Sequence, residues 1–494
     1  MQKNILKLNA PIYSALKDYA DENNIPFHMP GHKMGIGFPK NFAKNLPKFD
    51  ITELPNMDNL HFPDGIIKEA QLLAAHAFNA NKTFFLVNGA TCGVHAAIMT
   101  TCEHGSKIII GRDCHRSAIE GTILANAIPV YVNTEVDNFF GISTGVEPET
   151  LKTALEDNPD ASAVFVTRPN YYGICSDMEK IVDITHSFGK ILIVDEAHGA
   201  HLKFNKKLPI SAIDAGADIC VQSAHKTLPA LTQGAYLHIK SDSVDIEKLE
   251  FYLRLLETTS PSYIIMASLD MARALMEYSG KQLLDNIIKK TDWIRQCIKD
   301  LEGIVPLGKE CNISNGRSKT IDQTRLVLNS KNLGITGHAI AGILKEKYRI
   351  QVEMSDIYNI ICICTVADKD KYFKELNRAI HNICCNFKKD RSQNNVIMLH
   401  FGNIDKYINV PMPSRKFNPC DVKNMKGRFV ELKNSVGKIS KDFIVPYPPG
   451  VPIICPGEII FDEIIKYVSA LIELGSTVNG VYKSGKIFLV DIIE

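Results

Sequence analysis

The sequence predicts an α/β protein whose larger part is a mainly parallel, seven-stranded sheet wrapped by helices. Three features predict it: seven short apolar runs between residues 80 and 240, amphipathic stretches alternating with them, and little period-2 alternation within the runs. A strand buried on both faces reads as a continuous apolar run, whereas a half-exposed strand alternates. Strands that alternate with helices are joined by crossovers, and crossovers keep them parallel.

Taken in order, the runs are Thr83–Val87, Lys107–Ile110, Ile128–Val132, Ala163–Thr167, Ile191–Val194, Asp218–Gln222 and Ala235–Ile239, rich in Val, Ile and Phe. Between them, Gly93–Cys102, Ser117–Asn126, Pro148–Glu156 and Met178–Phe188 carry helical patterns. After Ser260-Pro261 a long helix is expected to about Leu301, with Ile264, Ala267, Leu269, Ala272 and Leu275 at helical spacing. A smaller α+β unit follows, with strands at Gln323–Leu328, Gln351–Glu353 and Ile360–Thr365 and helices at Ala339–Lys347 and Lys369–Cys384. The segment Asn386–Gly427 is polar and basic and reads as a linker or insertion with a solvated face. The tail carries the turn-rich stretch Tyr447–Pro452, then Pro456-Gly457-Glu458 and a final helix.

Composition narrows the function. With 494 residues the chain buries a large core, and 56 Lys+Arg against 55 Asp+Glu leave a net charge of +1. That balance argues against a polybasic nucleic-acid binder. No apolar run is long enough to span a membrane, and the N-terminal stretch lacks the apolar core of a secretory signal, so a cytoplasmic protein is expected. Thirteen cysteines without a Cys-x-x-Cys favour reduced thiols over disulfides or structural zinc, and no metal site is expected.

Asp195-Glu196-Ala197-His198 follows the run Ile191–Val194, which places an acid at the carboxyl end of a strand. A helicase reading needs a preceding phosphate loop. The near matches Gly303–Lys309 and Gly480–Lys486 come after the box, and their next residues, Glu310 and Ile487, offer no magnesium-binding hydroxyl. The helicase is rejected. Ser223-Ala224-His225-Lys226-Thr227 also follows a buried strand. Alone, Lys226 reads as a surface lysine. An aspartate and a lysine at the carboxyl edge of one parallel sheet face one crevice. An aldehyde-binding amine paired with an anion for a protonated ring nitrogen suits pyridoxal phosphate (PLP). Asn88–Gly93 opens a helix after a strand and offers N–H groups to a phosphate. Asp113–Ser117 supplies His115 as a ring-stacking partner, although a histidine there is ordinarily a cap.

These residues resemble the PLP-dependent ornithine/lysine/arginine decarboxylases of fold type I, the aspartate aminotransferase-like class. The resemblance runs from His28–Lys33 through Leu60–Gly65, Asn88–Gly93, Asp113–Ser117, Asn170–Gly173, Asp195–His198, Ser223–Thr227 and Val352–Asp356 to Tyr447–Glu458. The length is similar to that of the shorter bacterial form, without an N-terminal wing domain. The resemblance implies an N-terminal arm (1–60), a PLP-binding large domain (61–300), a small α+β domain (301–390) and a C-terminal domain (391–494). It implies that Lys226 holds the cofactor's aldehyde, that Asp195 pairs with the pyridinium, and that His115 and Ala197 lie on opposite ring faces. Ala90, Thr91, Ser223 and His225 would surround the phosphate, with Ala90 giving only its N–H where relatives have a hydroxyl. Lys226, His198 or water would supply the returning proton. Glu353 matches an acid that in ornithine-specific relatives meets the substrate's distal amine, with Asp356 a second candidate for that acidic pocket that reads equally well as a surface charge. The implied reaction is decarboxylation of a basic L-amino acid by at least a homodimer, with arginine to agmatine favoured over lysine to cadaverine or ornithine to putrescine. Transamination is the nearest rival reaction. No arginine stands in a motif comparable to the one that grips the substrate carboxylate in transaminases. A non-catalytic, partner-binding relative is the rival from another class.

Overall fold

The computed structural model describes residues 10–308, 310–312, 318–392, 410–447 and 450–494. Residues 393–409 of the expected basic linker, and Pro448 and Pro449 of the turn-rich stretch, lie outside the described residues.

The expected strands form one sheet: β1 (Lys82–Leu86), β2 (Lys107–Gly111), β3 (Ile128–Val132), β4 (Ala161–Thr167), β5 (Ile191–Asp195), β6 (Ile219–Gln222) and β7 (Ala235–Ile239). Their spatial order is β1-β7-β6-β5-β4-β2-β3. Only β7 opposes its neighbours, running antiparallel to β6 and β1, while the other pairs are parallel. Most positions of these strands are buried, which is why their sequences do not alternate.

Helix α1 (Gly89–Thr101) begins at Gly89, where the expectation began it at Gly93. The phosphate-type turn is thus the helix's own first turn, entered through Gly89 at a φ of 81°. Gly93 then lies flat on the sheet, since a Cβ there would come 2.6 Å from Leu86 Cδ1 and 3.0 Å from Val221 Cγ1. Helices α2 (Arg116–Ala125), α3 (Pro148–Asp157) and α4 (Met178–Ser187) follow their strands as expected. Asp177 caps α4 by accepting from Lys180 N at 3.3 Å. The short α5 (Ala224–Thr227) carries the lysine motif.

Helix α6 (Tyr263–Lys299), capped by Ser262, leads from the large domain to the smaller unit. There β8 (Val305–Pro306), β9 (Arg325–Asn329), β10 (Met354–Ser355) and β11 (Asn359–Ile363) make an antiparallel sheet in the order β8-β9-β11-β10. Helices α7 (Gly337–Tyr348) and α8 (Asp370–Ser392) accompany it. The expected strand at Gln351–Glu353 is seen at Ile350–Val352, outside that sheet and paired in parallel with Ile25–Phe27. The N-terminal segment is therefore stitched to the small unit. Lys33 completes the stitch: it is 0% exposed, and its Nζ donates to Ile363 O at 2.7 Å and His28 O at 3.0 Å, with Asp368 Oδ2 at 3.6 Å.

The C-terminal unit buries Ile444, Ile454, Ile464, Val468 and Ile492 between helix α9 (Asp462–Glu473) and short strands. It docks through Arg112, just past β2, whose guanidinium donates to Pro452 O, Ile453 O and Glu458 Oε2 at 2.8, 3.0 and 3.1 Å. No described helix is long and apolar enough to cross a membrane.

Candidate active site at the carboxyl edge of the sheet

Register brings the key strand ends together. Val221 on β6 lies beside Asp195 on β5, and Asp195 lies beside Thr167 on β4. Lys226 follows β6 on α5, and its Nζ lies 3.1 Å from His198 Nε2. On the other side of the same ring, Arg325 NH2 lies 3.3 Å from His198 Nδ1. Burial lowers the Lys226 pKa, with Asp195 and Glu353 opposing and Arg325 reinforcing the shift. Burial also drives His198 well below its ordinary value, helped by Lys226, Arg325, His115 and His225. Both groups are thereby biased to their neutral forms.

Asp195 is buried, and its Oδ1 accepts from Ala197 N at 3.0 Å. No described group donates to its other oxygen. Glu196 serves the scaffold instead. Its Oε1 accepts from Ala212 N at 2.9 Å, its Oε2 accepts from Gln222 Nε2 at 2.7 Å, and Arg168 lies 3.8 Å away. It braces the strand ends from inside, which explains an acid pair of which only one member faces the crevice.

At the start of α1, the N–H groups of Gly89, Ala90 and Thr91 have no acceptor among the described residues, as first-turn groups generally lack one inside the helix. The turn is held from behind by Glu257, which accepts from Val87 N at 3.2 Å and Asn88 N at 3.1 Å. Burial pushes the Glu257 carboxyl up to about 7. Ser223 is buried and starts α5 without a side-chain cap bond, which leaves its hydroxyl available. His225 Nδ1 lies 3.1 Å from Gly234 O, so a neutral ring donates there and keeps a bare lone pair at Nε2. Burial lowers that ring to about 4, so His225 offers an anion a second N–H only when protonated.

His115 both caps and faces the crevice. Its Nδ1 accepts from Ser117 N at 3.3 Å and contacts Ser117 Oγ at 2.9 Å. The ordinary cap role is therefore real, and it fixes the ring's orientation. Gly450 of the C-terminal unit sits close by, since a Cβ there would lie 3.4 Å from His115 Cδ2. Its φ of 90° suits glycine as well.

Glu353 joins three parts of the chain. Its Oε1 accepts from Tyr171 OH and its Oε2 from Met29 N, both at 2.7 Å. Tyr171 packs its ring against His198 with centroids 4.6 Å apart. Asp356 turns elsewhere, taking Tyr172 OH at 3.0 Å and the Asn359 N–H at 2.7 Å. Sequence reasoning missed two side chains here. Tyr171 lies inside a motif already quoted, so a signal existed. Arg325 lies on a small-domain strand with no local signature.

PLP would be held by Lys226 at its aldehyde, by the spare Asp195 oxygen at its ring nitrogen, and by the start of α1 with Ser223 at its phosphate. The residues fit it: Asp195 is a buried carboxylate with one oxygen unengaged, and the α1 turn presents unpaired N–H groups.

Sequence and fold likeness place the chain among known proteins. A family model described as Orn/Lys/Arg decarboxylase, major domain, matches residues 10–372, and its C-terminal domain counterpart matches 409–484. An arginine decarboxylase of Bacillus subtilis is 36% identical over 95% of both chains. An inducible lysine decarboxylase of Escherichia coli is 26% identical over 95% of this chain and 78% of its own. In fold, the chain is similar to lysine decarboxylase A from Pseudomonas aeruginosa, with a TM-score of 0.79 at 20% identity, covering 100% of this chain and 81% of that one.

Proposed function

The chain belongs to the Orn/Lys/Arg decarboxylase family, and from that premise we propose that it converts L-arginine to agmatine and CO2. It is a PLP-dependent decarboxylase. The arginine assignment is supported by full-length relatives named arginine decarboxylase at 36% identity, against 26% for a lysine decarboxylase. The observation that carries the site assignment is Lys226 Nζ lying 3.1 Å from His198 Nε2, beside Asp195.

When bound, PLP supplies the electron sink for the pair released from the Cα–carboxylate bond. The chain's residues do the rest. Burial lowers the Lys226 pKa and so favours the free base, the form that bonds an aldehyde. Asp195, with its unengaged oxygen, would hold a positive charge on the ring nitrogen. His198 holds a proton within reach of Lys226, and either group can return one to the substrate's Cα. His115 and Ala197 would bound the ring's two faces, and Ala90, Thr91 and Ser223 would meet its phosphate. Glu353 takes the substrate's distal cation. Each of its oxygens already accepts one bond and retains a lone pair, a spacing suited to the two-pronged guanidinium fork.

Self-association to at least a homodimer and residence in the cytoplasm belong to the same proposal. The second is supported by the free thiols of buried cysteines such as Cys92, Cys114 and Cys220. The decisive measurement is incubation of PLP-loaded protein with arginine, lysine and ornithine separately, with product identification. Agmatine and CO2 from arginine are expected. Cadaverine or putrescine as the dominant product, or a 2-oxo acid without CO2, would overturn the reading.

A further inference from the structure

We propose that Arg325 is a positioning residue that fixes which nitrogen of His198 carries the proton, and so turns a hydrogen toward the Lys226 amine. The inference rests on the reading of Lys226 and His198 given above and adds a residue to it. A guanidinium is only a donor, so His198 Nδ1, 3.3 Å from Arg325 NH2, must be the acceptor. A neutral imidazole then carries its single proton on Nε2. That hydrogen faces Lys226 Nζ across 3.1 Å, and the contact is a hydrogen bond only when the amine is the acceptor. An ammonium there would set donor against donor. The row Arg325–His198–Lys226 therefore has one self-consistent arrangement, in which the lysine is the free base.

Arg325 is closed off from small ligands. Its side chain is 1% exposed, and its Nε and NH1 are buried without a partner. Its main chain is pinned on both sides, N donating to Asp322 O at 3.0 Å and O accepting from Arg295 NH2 at 2.6 Å. Gly173 makes room for it, since a Cβ there would lie 2.9 Å from Arg325 Cβ. A residue so enclosed acts through its neighbour and does not grip a substrate carboxylate. Such a grip would also favour the ground state, whose negative charge the reaction removes.

The groups facing His198 are Lys226 and His225 from α5, Arg325 from β9, His115 from the start of α2, and the Tyr171 ring. Arg325 is the permanent cation among them. Its loss raises the pKa of both His198 and Lys226, because it disfavours the charged form of each.

The experiment compares wild type, Arg325→Met and Arg325→Gln. Apo-protein is mixed with PLP across a pH series, and the visible band reports capture by the free amine. Arg325→Met should move the midpoint upward by about one pH unit. Its kcat should fall about tenfold below neutral pH, as His198 takes a proton, while KM for the amino acid changes less than about twofold. Arg325→Gln, which keeps an N–H for Nδ1 but no charge, should shift the midpoint in the same direction and retain more of kcat. It serves alone if the Met variant does not fold. A wild-type midpoint in either soluble variant, or a loss confined to KM, would overturn the inference. Failure of the underlying reading looks different: Lys226→Ala would then still develop the wild-type visible band with PLP.

Discussion

Burial and the neighbouring Arg325 both push Lys226 toward the neutral amine, the form its proposed role requires. Removing it tests the assignment directly. Lys226→Ala should abolish the visible band formed with PLP and reduce turnover by roughly a thousandfold or more, measured as CO2 release. Asp195→Asn preserves shape and removes the charge on the unengaged oxygen. PLP should still bind, with kcat lower by roughly a hundredfold or more in a purified-enzyme assay; equal rates would remove the carboxylate from the mechanism. These two residues were legible because each stands at the end of an apolar run, where a parallel sheet gathers polar groups. Arg325 was not legible, because its strand belongs to another domain and His198, its hydrogen-bond partner in the site, is remote in sequence. Glu353 was legible as an acid, whereas its bonds to Tyr171 and Met29 depend on how two domains meet.

Among the elements, the turn before α1 makes a pH-dependent contribution through Glu257. Its carboxyl is raised to about 7 in the fold from an ordinary 4.5. Between those values the folded protein holds a proton that the unfolded chain has lost, so its contribution to stability falls as pH rises. Glu257→Gln should flatten the Tm-versus-pH curve between pH 4.5 and about 7, the span of the shift, relative to wild type. An unchanged slope would show that the acid ionises normally. Gly31 gives a second test: an added Cβ would fall 2.4 Å from Leu228 O, on the segment that follows Lys226. Gly31→Ala should destabilise by about 1–3 kcal/mol in chemical denaturation and weaken PLP retention on dialysis. The sheet itself was legible almost to the residue, since strands buried on both faces announce themselves. The pairing of Ile25–Phe27 with Ile350–Val352 was not, because two short segments far apart in sequence carry no mutual signal.

At the scale of the whole molecule, three units converge on one crevice: the large sheet brings Lys226 and Asp195, the small unit brings Arg325 and Glu353, and the C-terminal unit brings Gly450 to His115. Arg112 holds the last of these, and its partner Glu458 is 0% exposed. Arg112→Met would strand that carboxylate in the interior, a loss of about 3–5 kcal/mol for a broken buried pair. Hydrogen exchange should then rise across residues 443–458 before the sheet is affected; uniform protection would mean that the docking rests on apolar contacts alone. The reversed direction of β7 has its own effect on the lysine. Because β7 begins at the same end of the sheet where β6 finishes, residues 223–234 form a short bridge with both abutments on rigid strands. The amine can swing on its own four-carbon stem, while its backbone is tied across the bridge, Lys226 N donating to Ser223 O at 3.1 Å and His225 N to Gly234 O at 3.2 Å, so each recapture of the vitamin would start from the same footing.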